Sequence, residues 1–181
     1  LRRNGVAQAI LKAHREGSTV LGICGGYQLM GQEICDPEGV EGDIPRLPGL
    51  GLLPITTTMK KEKVTRQTQF YFHHDDTLCN GYEIHMGDTH PVEGANNQPL
   101  NTTLDGETDG YYMNEHCMGT YIHGILDNAT VINHLLAPYA EKTKEKVFNY
   151  QSFKEEQYDK LAEHVRKHIN LPLLYEILQK K

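Results

Sequence analysis

The sequence predicts an α/β domain, doubly wound around a mostly parallel sheet and ending in a helical tail. Three observations carry that prediction. A helix-like segment, a strand-like segment and a second helix-like segment follow one another between residues 6 and 34, which is the alternation that builds parallel sheets. The strand-like run holds Val20, Leu21 and Ile23, an apolar pattern suited to burial on both faces. Near the end, Tyr158, Leu161, Ala162, Val165 and Ile169 recur at helical spacing.

Taken in order, Val6 to His14 reads as a helix with Ile10 and Leu11 inward, and Gly17 is its stop signal. The strand then runs to Cys24, and the next helix spans Tyr27 to Ile34. Residues 36–50 are rich in Gly and Pro and read as a surface loop. Residues 51–59, 64–72, 81–86 and 118–122 have strand composition with turn residues between them, so the middle reads as more antiparallel than the start. Asn170 and Pro172 break the final helical pattern, and Leu174, Ile177 and Leu178 form the next apolar face. The expectation is one domain over 1–181, with residues 152–181 as a helical pair packed on it.

Composition narrows the class. With 38% apolar and 23% charged residues, the chain has the make-up of a soluble globular protein. A formal net charge of −6 argues against a nucleic-acid partner. No run reaches membrane-spanning length, and Leu1-Arg2-Arg3-Asn4 has no signal-peptide pattern. Leu1 is not an initiator Met, so the chain reads as a fragment of a larger protein. Cys24, Cys35, Cys79 and Cys117 form no CxxC pair and no metal-ligand spacing, so no metal is expected. Free thiols point to a reducing, cytoplasmic setting.

Cys24 ends the strand and is followed by Gly25, Gly26 and a helix. The two glycines read as removing Cβ atoms that would block a sharp turn. A nucleophile on such a turn projects outward at the end of the strand, where ligand sites of α/β sheets lie. Free N–H groups at a helix start stabilise negative charge, and the thiolate is the nucleophilic form of cysteine. Taken alone, the position fits a buried structural thiol equally well.

A cysteine nucleophile needs a base and an oxyanion hole. His14, His134, His164 and His168 lie in polar helical stretches and read as solvated, and His73-His74-Asp75-Asp76 reads as a charged loop rather than a metal site. His123 ends the strand-like Met118–Ile122 and precedes Gly124, so it too emerges at a strand end and becomes the best base.

The block Gly22-Ile23-Cys24-Gly25-Gly26-Tyr27-Gln28 resembles the G-x-C-x-G-x-Q elbow of triad-type (class I) glutamine amidotransferases. The resemblance implies that family's flavodoxin-like sheet and a reaction in which Cys24 attacks the side-chain amide of glutamine. Ammonia leaves and water clears the γ-glutamyl thioester. It further implies substrate binding by Gly25, Gly26 and Gln28, an oxyanion N–H from Gly25, and His123 as general acid and base. Two more blocks, Gly81-Tyr82-Glu83-Ile84-His85-Met86-Gly87 and Gly119-Thr120-Tyr121-Ile122-His123-Gly124, make the chain similar to the cobyric acid synthase family over nearly its whole length.

That family implies ATP- and glutamine-dependent amidation of corrinoid carboxylates during cobalamin synthesis. This chain would be the glutaminase part, with glutamine as its substrate and no cofactor of its own. ATP and Mg would belong to an upstream synthetase domain, through which the corrinoid is met. Consistent with that, no Walker-type phosphate loop occurs among these residues.

Two departures from the ordinary triad pattern stand out. Ile125 occupies the position two residues after the histidine where ordinary relatives carry glutamate. The cobyric acid synthase branch shares that gap, leaving Glu83 as an auxiliary catalytic candidate, a substrate ligand or a strand-shaping residue. The loop that supplies a second oxyanion N–H would precede Leu1, which implies weak or no turnover by these 181 residues alone. Alternative readings are a cobyrinic acid a,c-diamide synthase, a peptidoglycan-precursor amidating subunit, and a non-catalytic module of the same fold.

Overall fold

In a computed structural model describing residues 4–142 and 150–179, helix α1 (Val6–Arg15) leads into strand β1 (Val20–Ile23) and helix α2 (Gly25–Met30). Strands β2 (Glu33–Cys35) and β3 (Arg46–Pro48) precede two long strands, β4 (Ile55–Phe72) and β5 (Leu78–Pro91). Short strands follow: β6 (Asn101–Thr103), β7 (Thr108–Asp109), β8 (Tyr111–Asn114), β9 (Cys117–Thr120) and β10 (Ile122–His123). A 3₁₀ turn at Ile125–Asp127 leads into α3 (Ala129–Leu136).

The α/β class and the helical end are present, but the sheets are mixed rather than mostly parallel. Among the described residues, β1 runs parallel to β9 in a three-stranded sheet ordered β1-β9-β8, and β2 runs parallel to β4 in a larger sheet. Every other ladder is antiparallel. The reason is the connection after β4. Residues 73–77 turn the chain straight back, with the Asp75 carboxylate accepting from the Thr77 N–H at 2.7 Å, and only an antiparallel neighbour allows so short a return. The β4–β5 ladder then extends from Tyr71 opposite Leu78 to Ile55 opposite Pro91.

Two element boundaries differ from the sequence pattern for packing reasons. Residues 51–59 and 64–72 do not form separate strands. The polar stretch from Lys60 to Lys63 lies in a register shift between Met59 and Val64, and β4 continues through it. The second helix stops at Met30 rather than Ile34: Gly31 is extended (ψ −178°), the Gln32 N–H donates to the Ile55 carbonyl at 2.8 Å, and glycine is needed at 31 because a Cβ would lie 2.7 Å from that oxygen. The chain leaves the helix there to pair β2 with β4.

Two apolar clusters form the core. One is built on Phe70, Phe72, Met118, Ile122 and Ile125, the other on Tyr27, Met30, Ile55, Tyr111 and Tyr121. Burying each large side chain contributes about 1.5–3 kcal/mol, so these clusters fix where β1, β9 and β10 end.

Residues 145–181 form a separate compact unit. Its described part is α4 (Tyr150–His168) and α5 (Leu171–Gln179). The Asn170 side chain accepts from the Leu173 N–H at 3.2 Å, an N-cap, and Pro172 sits in the first turn where its missing N–H costs nothing.

Candidate active site

Cys24 caps α2 with φ 52° and ψ −115°, a left-handed backbone that L-residues rarely adopt. Such strain costs about 1–3 kcal/mol and persists only where the surroundings enforce it. The enforcement comes from hydrogen bonds and from close packing. The Cys24 N–H donates to the Thr120 carbonyl at 2.8 Å, and its carbonyl accepts from the Gln28 N–H at 3.1 Å.

The glycines that permit the packing are not the two that follow the cysteine. A Cβ at Gly25 or Gly26 would meet nothing within 4 Å, so neither is required sterically. At Gly22 a Cβ would sit 2.5 Å from Met30 Sδ and 2.8 Å from Tyr27 N, and at Gly119 it would lie 2.3 Å from the Tyr27 ring. Bare backbone on both β1 and β9 therefore lets α2 press onto the sheet and aim Cys24 outward.

Cys24, Gly25 and Gln28 line one cavity of about 600 Å³, together with Ile84, His85 and Met86 of β5. The Cys24 thiol donates to the Ile84 carbonyl at 3.5 Å. As the first residue of α2, Gly25 has an N–H without an intrahelical acceptor. Gly26 is exposed and outside the cavity lining.

His123 reaches the same strand from the other side. β10 pairs with β5 so that Ile122 lies opposite Glu83 and His123 opposite Tyr82. Residues opposite each other on a ladder share a face. The His123 ring accordingly lies against Tyr82, with centroids 5.1 Å apart and planes 9° from parallel, and its Nε2 is buried without a hydrogen-bond partner. Cys24 at the Ile84 carbonyl and His123 at Tyr82 thus approach β5 two residues apart, although His123 does not line the cysteine cavity.

Glu83 stands on the opposite face of β5, and the structure does not bring it to His123. Its buried carboxylate accepts from Arg66 Nε at 2.9 Å and Thr68 Oγ1 at 3.0 Å, and lies 3.2 Å from His85 Nε2. Burial alone would push this carboxyl up; the bonds from His85, Arg66 and Thr68 outweigh it and hold it down to about 2.

Sequence reasoning missed Asp109, Tyr121 and the part played by His85. Asp109 accepts from the Tyr121 N–H at 3.0 Å, from Asn101 Nδ2 at 2.8 Å and from the Thr120 hydroxyl. It fixes the chain where Thr120 meets the Cys24 N–H, and its burial among neutral donors pushes its carboxyl up. Tyr121 accepts a bond from Gln28 Nε2 at 3.3 Å. The available signal was the alternation of Glu83, His85, Gly87 and Thr89 along one face of a strand.

Of the other histidines in the first unit, none lines this cavity. His14 and His134 are half-buried rather than solvated, and His134 packs edge-on against Phe72 with ring centroids 5.1 Å apart. Among the described residues, no group of three or more His, Cys, Asp or Glu is placed to hold a metal ion. No helix among them is long and apolar enough to cross a membrane.

Residues 1–131 match the CobB/CobQ-like glutamine amidotransferase domain. Among curated proteins, the chain is 65% identical over 178 residues to cobyric acid synthase of Bacteroides fragilis, covering 98% of this chain and 36% of that protein. It is 66% identical over 179 residues to cobyric acid synthase of Phocaeicola vulgatus, with 98% and 36% covered. A more distant cobyric acid synthase, from Limosilactobacillus reuteri, is 38% identical over 197 residues, with 99% and 37% covered. The chain therefore spans a little over a third of the length of these relatives. A solved structure described as a glutamine amidotransferase superposes with a TM-score of 0.51 at 17% identity, covering 75% of this chain and 69% of that one, a likeness of fold.

Proposed function

Because the chain belongs to the CobB/CobQ-like glutamine amidotransferase domain family, we propose that it is the glutamine-hydrolysing part of a cobyric acid synthase. In this reading it supplies ammonia for ATP-dependent amidation of corrinoid side-chain carboxylates in cobalamin biosynthesis. The observation that carries the chemical part is Cys24 itself. It is a strained residue at a strand end, opening into a cavity that it shares with Gly25 and Gln28. High identity to cobyric acid synthases over 98% of the chain supports the corrinoid part.

The reaction follows from the groups present. Cys24 gives its thiol proton to His123 as its Sγ attacks the carboxamide carbon of glutamine, and the Gly25 N–H faces the developing oxyanion. The C–N bond breaks, His123 protonates the departing nitrogen, and ammonia leaves a γ-glutamyl thioester. Water then adds with His123 taking its proton, the C–S bond breaks as His123 returns that proton to the leaving sulfur, and glutamate and the free thiol are released. Gln28 belongs to the substrate-binding side with Gly25, whereas Gly26, expected there from the sequence, lies outside the cavity lining. Activation of the carboxylate, with its ATP and Mg, falls to a synthetase domain outside these 181 residues. The free state of all four cysteines fits a cytoplasmic enzyme.

The test is amidation of a corrinoid diamide by the full-length protein, comparing wild type with Cys24→Ala. The variant should lose activity with glutamine and keep activity with free ammonia. Loss of both would mean that Cys24 is structural.

A further inference from the structure

We infer that Tyr121 is a positioning residue that acts through Gln28, held in place by one face of β5; the inference rests on the reading of this cavity as a glutamine site. Gln28 lies one helical turn beyond Cys24 and lines the same cavity. Its Nε2 donates to the Tyr121 hydroxyl at 3.3 Å. That hydroxyl lies 2.5 Å from Thr89 Oγ1, which in turn lies 2.7 Å from Thr57 Oγ1 of the paired strand. A phenol has one proton to give. Tyr121 accepts one N–H of the amide and shares a second hydrogen bond with the Thr89 hydroxyl, in which either oxygen can donate, so the Gln28 amide is turned with its nitrogen towards Tyr121. The carbonyl end of Gln28 is left to accept from an N–H of the substrate, which glutamine supplies from its amino group or its carboxamide.

The ring beneath that hydroxyl is fixed as firmly. Tyr121 stacks on His85 with centroids 3.8 Å apart and planes 16° from parallel, and meets Tyr27 edge-on at 5.2 Å. His85 has both ring nitrogens engaged, Nδ1 with the Gly87 carbonyl at 2.9 Å and Nε2 with Glu83 at 3.2 Å. Gly87 completes the arrangement by omission. A Cβ there would fall 2.3 Å from Gln28 Nε2 and 2.6 Å from the Tyr121 hydroxyl. Glu83, His85, Gly87 and Thr89 are alternate residues of β5 and share a face, so one strand surface orders ring, hydroxyl and amide together. This gives Glu83 a role that does not pass through His123.

Steady-state kinetics of the full-length protein test this. Tyr121→Phe keeps the ring and removes the hydroxyl. It should raise KM for glutamine about tenfold, the size of one neutral hydrogen bond, while kcat stays within about twofold. Amidation driven by free ammonia should match wild type. Thr89→Val should raise KM in the same direction, and Thr89→Ser, which restores a hydroxyl, should return it. This pair carries the test if Tyr121→Phe fails to fold. An unchanged KM in folded Tyr121→Phe or Thr89→Val overturns the inference, as does a fall in kcat with KM unaltered. If wild type releases no ammonia from glutamine, or Cys24→Ala still does, the underlying glutamine reading fails instead.

Discussion

The chain turns sharply after β1 and again after β10, and the two turns are made in different ways. At the first, the strain sits on the proposed nucleophile itself: Cys24 takes φ 52°, and Gly22 and Gly119 forgo side chains so that Met30 and Tyr27 can press against the strands. At the second, the left-handed residue is Gly124, with φ 71°, and His123 remains within a two-residue strand with its ring lying on Tyr82. Cys24 is aimed by backbone and packing, whereas the His123 ring lies against Tyr82 with its Nε2 buried. In the proposed reaction a nucleophile must present a single atom along one line, and a base must keep its ring nitrogen within reach of the proton it moves.

The largest effect is expected from giving the histidine end the acid that ordinary triads carry two residues later. Ile125 is 0% exposed and packs in the cluster with Phe72, Ile122 and Val131. Ile125→Glu therefore places an unpaired carboxylate in the core and should cost about 4 kcal/mol or more, visible as loss of the cooperative unfolding transition. A stable Ile125→Glu protein with raised activity would show that this end can host a triad after all.

A smaller effect is expected from Glu83. Its carboxyl titrates near 2 when folded, below its unfolded value, so the stability it contributes is fully present above about pH 4.5 and is lost as pH falls towards 2. Glu83→Gln should flatten the stability curve in that acid range in denaturant titrations. An acid limb as steep as in wild type would mean that other carboxylates produce it.

The smallest effect concerns strain at the elbow. Glycine populates the mirror-image region that Cys24 occupies, so Cys24→Gly should raise stability by about 1 kcal/mol while abolishing glutamine hydrolysis. A thermal midpoint below wild type would show that Cys24 is placed by side-chain contacts rather than held against strain.

What could be read from the sequence follows the range of the interactions involved. The elbow was legible because an apolar run, a cysteine and Gln28 are contiguous. The reason the elbow is possible was not, because Gly22 and Gly119 matter only once Tyr27 has packed between strands that are ninety-odd residues apart in sequence. His123 was legible as a strand end, yet its neighbour Tyr82 depends on β10–β5 pairing that no local pattern encodes. The β4–β5 hairpin was obscured by Lys60, Lys61 and Lys63, which read as a break but ride a bulge in one continuous strand. Tyr121 was hidden most completely. It reads as one more aromatic in a strand, and its partners Gln28, Thr89 and His85 come from two other elements.

If Cys24 is a nucleophile directed at glutamine, the other three thiols provide the contrast. Cys79 and Cys117 are buried, and burial pushes both thiols up, Cys117 to about 11. Cys35 is half-buried and is raised by burial and by its neighbour Glu33. The direct measurement is peptide mapping of the full-length protein after brief exposure to a glutamine-mimicking electrophile. Cys24 should be alkylated well before Cys35, Cys79 and Cys117, and free glutamine should protect it. Labelling of Cys24 no faster than Cys35, or labelling that glutamine does not slow, would contradict the account.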